Sequence, residues 1–250
     1  MSGERQADIN RSFVALASSL VNGYDVVDLL VQLTEDCTRL LDIASAGLLL
    51  ADGRGVLHVV AASTEATRLL EVHQLQRAEG PCRDCYLDGA PVSVADLSAV
   101  AQRWPSFVPA AVSLGFASVH ALPLRLRGSR LGALGLFGSH VGALASDDLA
   151  LGQALADVAS VALVQDRAAA DSSAVNEQLQ TALTGRVVLE QAKGVLAQLG
   201  DLEMAAAFAA LRRYARDRNL RLSDVAAAVV DRSLRAQDVL DAAVRTSPQP

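Results

Sequence analysis

Three cysteines, four histidines, one tryptophan and one lysine are the residues of this 250-residue chain whose types and spacing could do specific chemistry. Cys82 and Cys85 lie in Gly80-Pro-Cys-Arg-Asp-Cys-Tyr86. A Cys-x-x-Cys pair fits a redox or thiol-sensing couple, half of a metal site, or two small half-buried residues beside a Gly-Pro turn. A metal would need further ligands, and His58, His73, His120 and His140 qualify only as imidazoles; no metal is expected. With Cys37 as the remaining cysteine, the disulfide framework of a secreted domain is excluded. Trp104, in Arg103-Trp-Pro-Ser-Phe-Val-Pro109, is a lid for a pocket or an ordinary core or surface anchor. Cys82, Cys85, Trp104 and His120 are the sensor candidates, and no residue is assigned a catalytic role.

Lys193 poses a different question. Every other basic residue of the chain outside the histidines is an arginine. Lysine carries a compact ammonium where arginine carries a planar fork, so the two are not equivalent at a tight polar contact. Lys193 sits in Val188-Leu-Glu-Gln-Ala-Lys-Gly-Val195, within a helical pattern over 183–199 whose apolar side takes Val188, Leu189, Ala192, Val195, Leu196 and Leu199. At about 100° per residue, Arg186, Glu190 and Lys193 share one flank of that side. The plain reading is a charge ladder that supports the helix. Gly194 argues for more, since glycine in a helix interior costs roughly 1 kcal/mol relative to alanine and is expected where another helix or a ligand comes close.

The elements that must position these residues fall into two groups. After 183–199 come amphipathic stretches over 203–218 and 222–230, the first burying Met204, Ala207, Phe208, Leu211 and Ala215. Ser223 is the expected N-cap of the second, with Asp224 in its first turn. Arg212, Arg213, Arg216, Arg218 and Arg221 cluster on or just after the middle helix. Together, Arg186-Val-Val-Leu-Glu-Gln-Ala-Lys-Gly-Val-Leu196, Ala206-Ala-Phe-Ala-Ala-Leu-Arg212 and Leu222-Ser-Asp-Val-Ala226 resemble an ANTAR domain, a three-helix RNA-binding module of bacterial antitermination regulators. The resemblance implies binding to paired hairpin loops of nascent RNA, which keeps a terminator hairpin from forming. Ala192, Lys193 and Gly194 match the family's signature, Arg212 its arginine, and Arg186 a position that is commonly basic. Arg213 and Arg216 are added from charge clustering alone.

Charge suits a partner read by more than phosphate. Residues 184–234 hold eight basic and six acidic side chains, a net of +2, inside a chain of net charge −6. So weakly basic a module is a poor non-specific binder and needs loop shape, unstacked bases and a second copy to bind tightly.

The first two thirds of the chain reads as helix 25–42, strands 46–51 and 56–61 about Asp52-Gly-Arg-Gly55, helix 65–76, strand 91–94, helix 106–114, strands 117–126 and 130–137, and a helix capped by Ser146. That order predicts an antiparallel sheet with helices on its faces. With Glu79-Gly-Pro-Cys-Arg-Asp-Cys-Tyr86, Pro91-Val-Ser-Val-Ala-Asp96 and Gly115-Phe-Ala-Ser-Val-His-Ala-Leu-Pro-Leu124, it resembles a GAF domain, a small-molecule sensor module. The resemblance names no ligand or cofactor. The expected fold class is therefore α+β: a GAF-like sensor over 1–165 with an N-terminal helix, a connecting helix over 166–183, an all-α ANTAR bundle over 184–236 and a tail over 237–250. Val175, Leu179 and Leu183 would pair the connecting helix with a second chain, giving a homodimer. There is no stretch of 18 uncharged apolar residues and no hydrophobic leader at Met1-Ser-Gly-Glu-Arg-Gln, so no membrane partner and a cytoplasmic location are expected. Two other functions fit parts of the chain: a GAF-fold enzyme that reduces an oxidised sulfur compound through Cys82 and Cys85, and a helix-turn-helix that reads duplex DNA.

Overall fold

The computed structural model describes the backbone of residues 2–21, 25–126, 128–165 and 172–245, and side chains within 4–16, 25–126, 128–163 and 184–243. The described residues fall into two compact units, Met1–Gln180 and Thr181–Pro250.

The first unit is built on a five-stranded antiparallel sheet, β1 (Ser45–Ala51), β2 (Leu57–Ala62), β3 (Val92–Val94), β4 (Ser118–Leu126) and β5 (Ser129–Gly138), in the order β2-β1-β5-β4-β3. The β1–β2 hairpin is set where the sequence places it. Asp52 Oδ1 accepts from the backbone N–H of Arg54 (2.8 Å) and Val56 (3.0 Å), an Asx arrangement that turns the chain. β1 is buried at every residue and reads Ser-Ala-Gly-Leu-Leu-Leu-Ala, the composition of a strand covered on both faces.

Helices α1 (Ser2–Val21), α2 (Val26–Leu40) and α6 (Ser146–Gln165) pack together, with α2 against β1 and α6 against β4. Asp25 caps α2 by accepting from Val27 N at 2.9 Å. α1 is tied down by polar contacts. Arg5 donates to Leu40 O (3.2 Å) and pairs with Asp148, while Ser12 meets Arg39 at 2.6 Å. The other sheet face is covered by α3 (Glu65–Arg77), α4 (Pro81–Asp88) and α5 (Phe107–Ser113), with a 3-10 turn at Leu97–Val100. Trp104, Phe107, Phe116 and Phe137 fill the core between, with the Trp104 and Phe107 rings 6.0 Å apart edge to face.

In the second unit, residues 181–200 of α7 (Ser172–Gly200), α8 (Met204–Asp217), α9 (Leu222–Val230) and α10 (Ala236–Arg245) form a helical bundle, α7 and α8 turning through 109°. Its core is Leu189, Ala192 and Leu196 of α7, Ala207, Ala210, Leu211, Tyr214 and Ala215 of α8, Leu222, Val225, Ala226 and Val229 of α9, and Val239 and Leu240 of α10.

Several expectations change here. The apolar side of α7 is narrower than its periodicity suggests: Val195 and Leu199 are exposed, because the line Leu189-Ala192-Leu196 is already enough to meet the core. Met204 and Val230 are exposed for the same reason at helix ends. Ser223 is not the N-cap of α9; Arg221 holds that place, which lets Leu222 start the helix buried. The tail expected over 237–250 is helical to Arg245, since Ala236, Val239 and Leu240 repeat at helical spacing and close the bundle against α8. Of the connecting helix, residues 166–171 lie outside the described residues. So do the side chains of Val175, Leu179 and Leu183, although the backbone of 172–183 is helical.

No described helix alone is long and apolar enough to cross a membrane.

Candidate functional site: a buried thiol cluster, a polar cleft and a basic helical face

The Cys-x-x-Cys pair begins not a turn but a helix. Gly80 adopts φ +139, a conformation that favours glycine, and serves as N-cap, placing Pro81 at the first helical position of α4 and Cys82 just after it. Both cysteines are completely buried, not half-buried, and neither is in a disulfide. Cys82 Sγ donates to Glu71 Oε1 at 3.4 Å, and the Cys82 N–H donates to Gln74 Oε1 at 3.2 Å. Gln74 Nε2 donates in turn to the other carboxylate oxygen of Glu71. Glu71 and Gln74 come from α3 and have no exposed surface.

The cluster fits against the sheet because two strand residues lack side chains. A Cβ on Gly135 would stand 2.7 Å from Cys82 Sγ and 2.8 Å from Glu71 Oε1, and one on Gly47 would stand 2.8 Å from the same oxygen. Burial raises the Glu71 carboxyl to about 8, its two hydrogen bonds opposing only part of that shift. Burial likewise pushes the Cys82 thiol well above its ordinary value, with the Glu71 charge adding to it, and takes Cys85 to about 12. A thiol enzyme needs the opposite shift, toward an accessible thiolate. The cluster is fully buried and hydrogen-bonded within itself. Among the described residues no group of three His, Cys, Asp or Glu side chains is placed to hold a metal ion.

Trp104 is a core anchor and not a lid. Its ring is buried, its Nε1 donates to Asp84 Oδ2 at 3.1 Å, and Arg103 stacks over it at 4.5 Å while also pairing with Asp84. His120 lies on the other side of the sheet, since its neighbours in β4, Val119 and Ala121, belong to the aromatic core and side chains alternate along a strand. It lines a cleft of about 390 Å³ with Asp42, Ser118, His140 and Asp148. His120 Nε2 accepts from Leu144 N at 3.2 Å. The neutral ring, favoured because burial lowers its pKa, therefore carries its proton on Nδ1, a buried atom without a hydrogen-bond partner among the described residues. Sequence motifs offered no signal for Glu71, Gln74 or the cleft, because each depends on contacts between distant elements.

In the second unit the charge ladder forms as its spacing requires. Arg186 Nη2 is 3.4 Å from Glu190, and Lys193 Nζ is 3.0 Å from both Glu190 oxygens. Lys193 is only 17% exposed, because its ammonium also lies 5.8 Å from the Phe208 ring of α8. Ala192 is fully buried, so its place in the motif is one of packing. Gly194 is exposed, and among the described residues nothing outside its own helix backbone and chain neighbours stands within 4 Å of where a Cβ would be. On α8, Ala205, Ala209 and Arg216 are exposed, Arg212 and Arg213 are half-buried, and no acidic side chain occurs before Asp217. Arg213 donates to Ala243 O at 2.9 Å and so holds the end of α10. Arg218 stacks on Tyr214 at 3.7 Å.

A helix-covered antiparallel sheet joined to a helical bundle with one arginine-bearing helix defines a two-module chain. A profile of the GAF domain family matches residues 24–164 and one of the ANTAR domain matches residues 177–230. The chain belongs to the GAF domain family and carries an ANTAR domain behind it: it is a GAF-ANTAR protein. α10 lies beyond both matches.

Similar solved structures include the phycoerythrobilin-bound GAF domain of a cyanobacterial phytochrome, at 16% identity and a TM-score of 0.50 over 64% of this chain and 95% of that one. The GAF domain of an Acinetobacter phosphoenolpyruvate-protein phosphotransferase matches at 15% identity and 0.49, over 65% of this chain and 93% of that one. A type II free methionine-R-sulfoxide reductase from Thermoplasma acidophilum matches at 18% identity and 0.42, over 55% and 94% respectively. The phytochrome domain shares the fold, and at that identity nothing of its chromophore passes to this chain. No curated protein matches the chain.

Proposed function

We propose that this GAF-ANTAR protein is a signal-responsive regulator that binds paired hairpin loops in nascent RNA and so prevents transcription termination. RNA is the general partner of ANTAR domains. The observation that carries the reading is the placement of Arg212 and Arg216 one turn apart on α8, the helix whose Phe208 ring lies against Lys193 of the Lys193-Gly194 motif of α7. Arg212 and Arg216 supply phosphate contacts, Arg186 and Lys193 neutralise Glu190 so that it does not repel the backbone, and loop bases supply the rest of the affinity. Arg213 acts mainly through α10. Two such modules in a homodimer, joined through the connecting helix, engage two loops at once. The regulator is cytoplasmic and not an enzyme, in keeping with thiols that burial holds protonated.

The sensor half of the reading rests on the His120 cleft. The opposite sheet face is filled by aromatic side chains, whereas the cleft offers volume and an unsatisfied donor. Its occupant must favour one arrangement of the dimer over another to have any effect.

The test is binding of the full chain to a synthetic two-hairpin RNA against a matched DNA duplex at fixed salt, with and without reductant. Preference for the RNA, insensitive to reductant, is the expected result. Equal affinity for the duplex overturns the reading, and turnover of an oxidised sulfur compound by Cys82 would replace it with the enzyme.

A further inference from the structure

On the exposed side of α7 the chain leaves a bare place that its own fold does not use. Gly194 sits in the helix interior, exposed, and beyond its own helix backbone and chain neighbours none of the described residues comes within 4 Å of a prospective Cβ. An alanine would fit there and suit a helix better. Gln191, three residues before it, and Gln198, four after it, are its neighbours along the helix surface, and both are exposed. Neither amide makes a hydrogen bond with the described residues. Val187, 57% exposed, extends the same uncharged side. The flank beside it is the Arg186-Glu190-Lys193 ladder, which carries a net positive charge.

We propose that Gly194, bracketed by Gln191 and Gln198, seats one unstacked base of the RNA loop and that the two amides read its edge. The inference rests on the RNA-binding reading above and adds the residues that give it base specificity. A carboxamide offers a donor and an acceptor side by side, the pattern that base edges present. A backbone surface without a Cβ admits the flat face of a base. With Glu190 neutralised by Arg186 and Lys193, the flank does not repel the adjoining phosphates. A helix from a second copy would also fit a bare glycine. The positive flank favours a polyanion over an identical, equally positive surface, and RNA loops are recognised through splayed bases of this kind.

The test uses the full chain carrying Gly194→Ala, Gln191→Ala or Gln198→Ala, the two-hairpin RNA, and copies of that RNA made abasic at one loop position at a time. Gly194→Ala is expected to melt no lower than the parent yet bind the RNA at least ten-fold more weakly, with an unchanged dependence on salt. Gln191→Ala is expected to weaken binding to the intact RNA and to cost nothing further on the RNA lacking the base it reads. Parental affinity in Gly194→Ala overturns the inference and leaves the RNA reading intact. A change of oligomeric state in Gly194→Ala without RNA also overturns it, and makes the patch a subunit interface. A parent protein with no preference for RNA removes the functional reading itself, and with it this inference.

Discussion

Glu71 shows how far a single side chain can depart from what its type suggests. It is a carboxyl with no exposed surface, held by Gln74 and Cys82, and its pKa rises from 4.5 to about 8. Below pH 4.5 it is protonated in both the folded and the unfolded chain, and its contribution to stability is fully present. Between about pH 4.5 and 8 the unfolded chain releases the proton while the folded one keeps it. Stability therefore falls as pH rises through that window, by at most ~1.4 kcal/mol per pH unit, and levels off above it. Glu71→Gln is expected to remove that slope and to be the more stable protein at pH 8, as measured by denaturant titration at pH 5 and pH 8. A parallel pair of curves for parent and variant would show that the carboxyl is already ionised in the fold. The neighbouring thiols make a second prediction. All three cysteines of the chain are buried, so an alkylating reagent at pH 7.5 is expected to leave them unmodified in the native protein and to label all three in denaturant. Lys193→Ala should cost the bundle only about 0.5–1 kcal/mol for its ion pair and ring contact, while weakening RNA binding well beyond that. A folded variant with parental affinity would assign Lys193 to the fold alone.

At the scale of elements, α10 is where the protein departs from its module. It packs on α8 through Val239 and Leu240 and takes the Arg213 guanidinium for its own last turn. Val239→Ala is expected to destabilise the bundle by about 2 kcal/mol, since the side chain is wholly buried. Arg213→Ala should lower stability more than RNA affinity, and Arg216→Ala should do the reverse. Measuring thermal stability and RNA affinity for both variants separates the two roles; equal losses of affinity would return Arg213 to the RNA surface. α4 teaches a similar lesson. Gly80-Pro81 signals a turn in the sequence, yet a positive-φ glycine before a proline is also a good way to start a helix.

For the whole molecule, the relevant quantity is charge spread over two units. The chain carries −6 overall, and its basic side chains are few even where they concentrate. If about three arginine–phosphate contacts form per module, the logarithm of the RNA association constant should fall with that of salt concentration with a slope near −2, far shallower than for a strongly basic binder. A slope several times steeper would mean that the affinity is mostly electrostatic and that loop shape matters little. Each unit has its own core, so Val239→Ala is expected to shift one unfolding transition and spare the other. Coincident shifts in calorimetry would show that the two units unfold as one.

The sequence by itself determined what is local or periodic. The 52–55 hairpin follows from an aspartate and two glycines, and α2 from Asp25 and its apolar spacing. The Arg186-Glu190-Lys193 ladder follows from helical geometry, and both domain families are readable from short runs of residues. Tertiary structure alone decided what depends on which surfaces meet. The burial of Cys82 against Glu71 and two strand glycines depends on contacts between separate elements, which no local pattern in the sequence reveals. Trp104 became an anchor because Asp84 came within reach of its indole. Val195 and Leu199 stayed exposed because the bundle core is already met by Leu189, Ala192 and Leu196, and Gly194 stayed bare because no other described element comes near it.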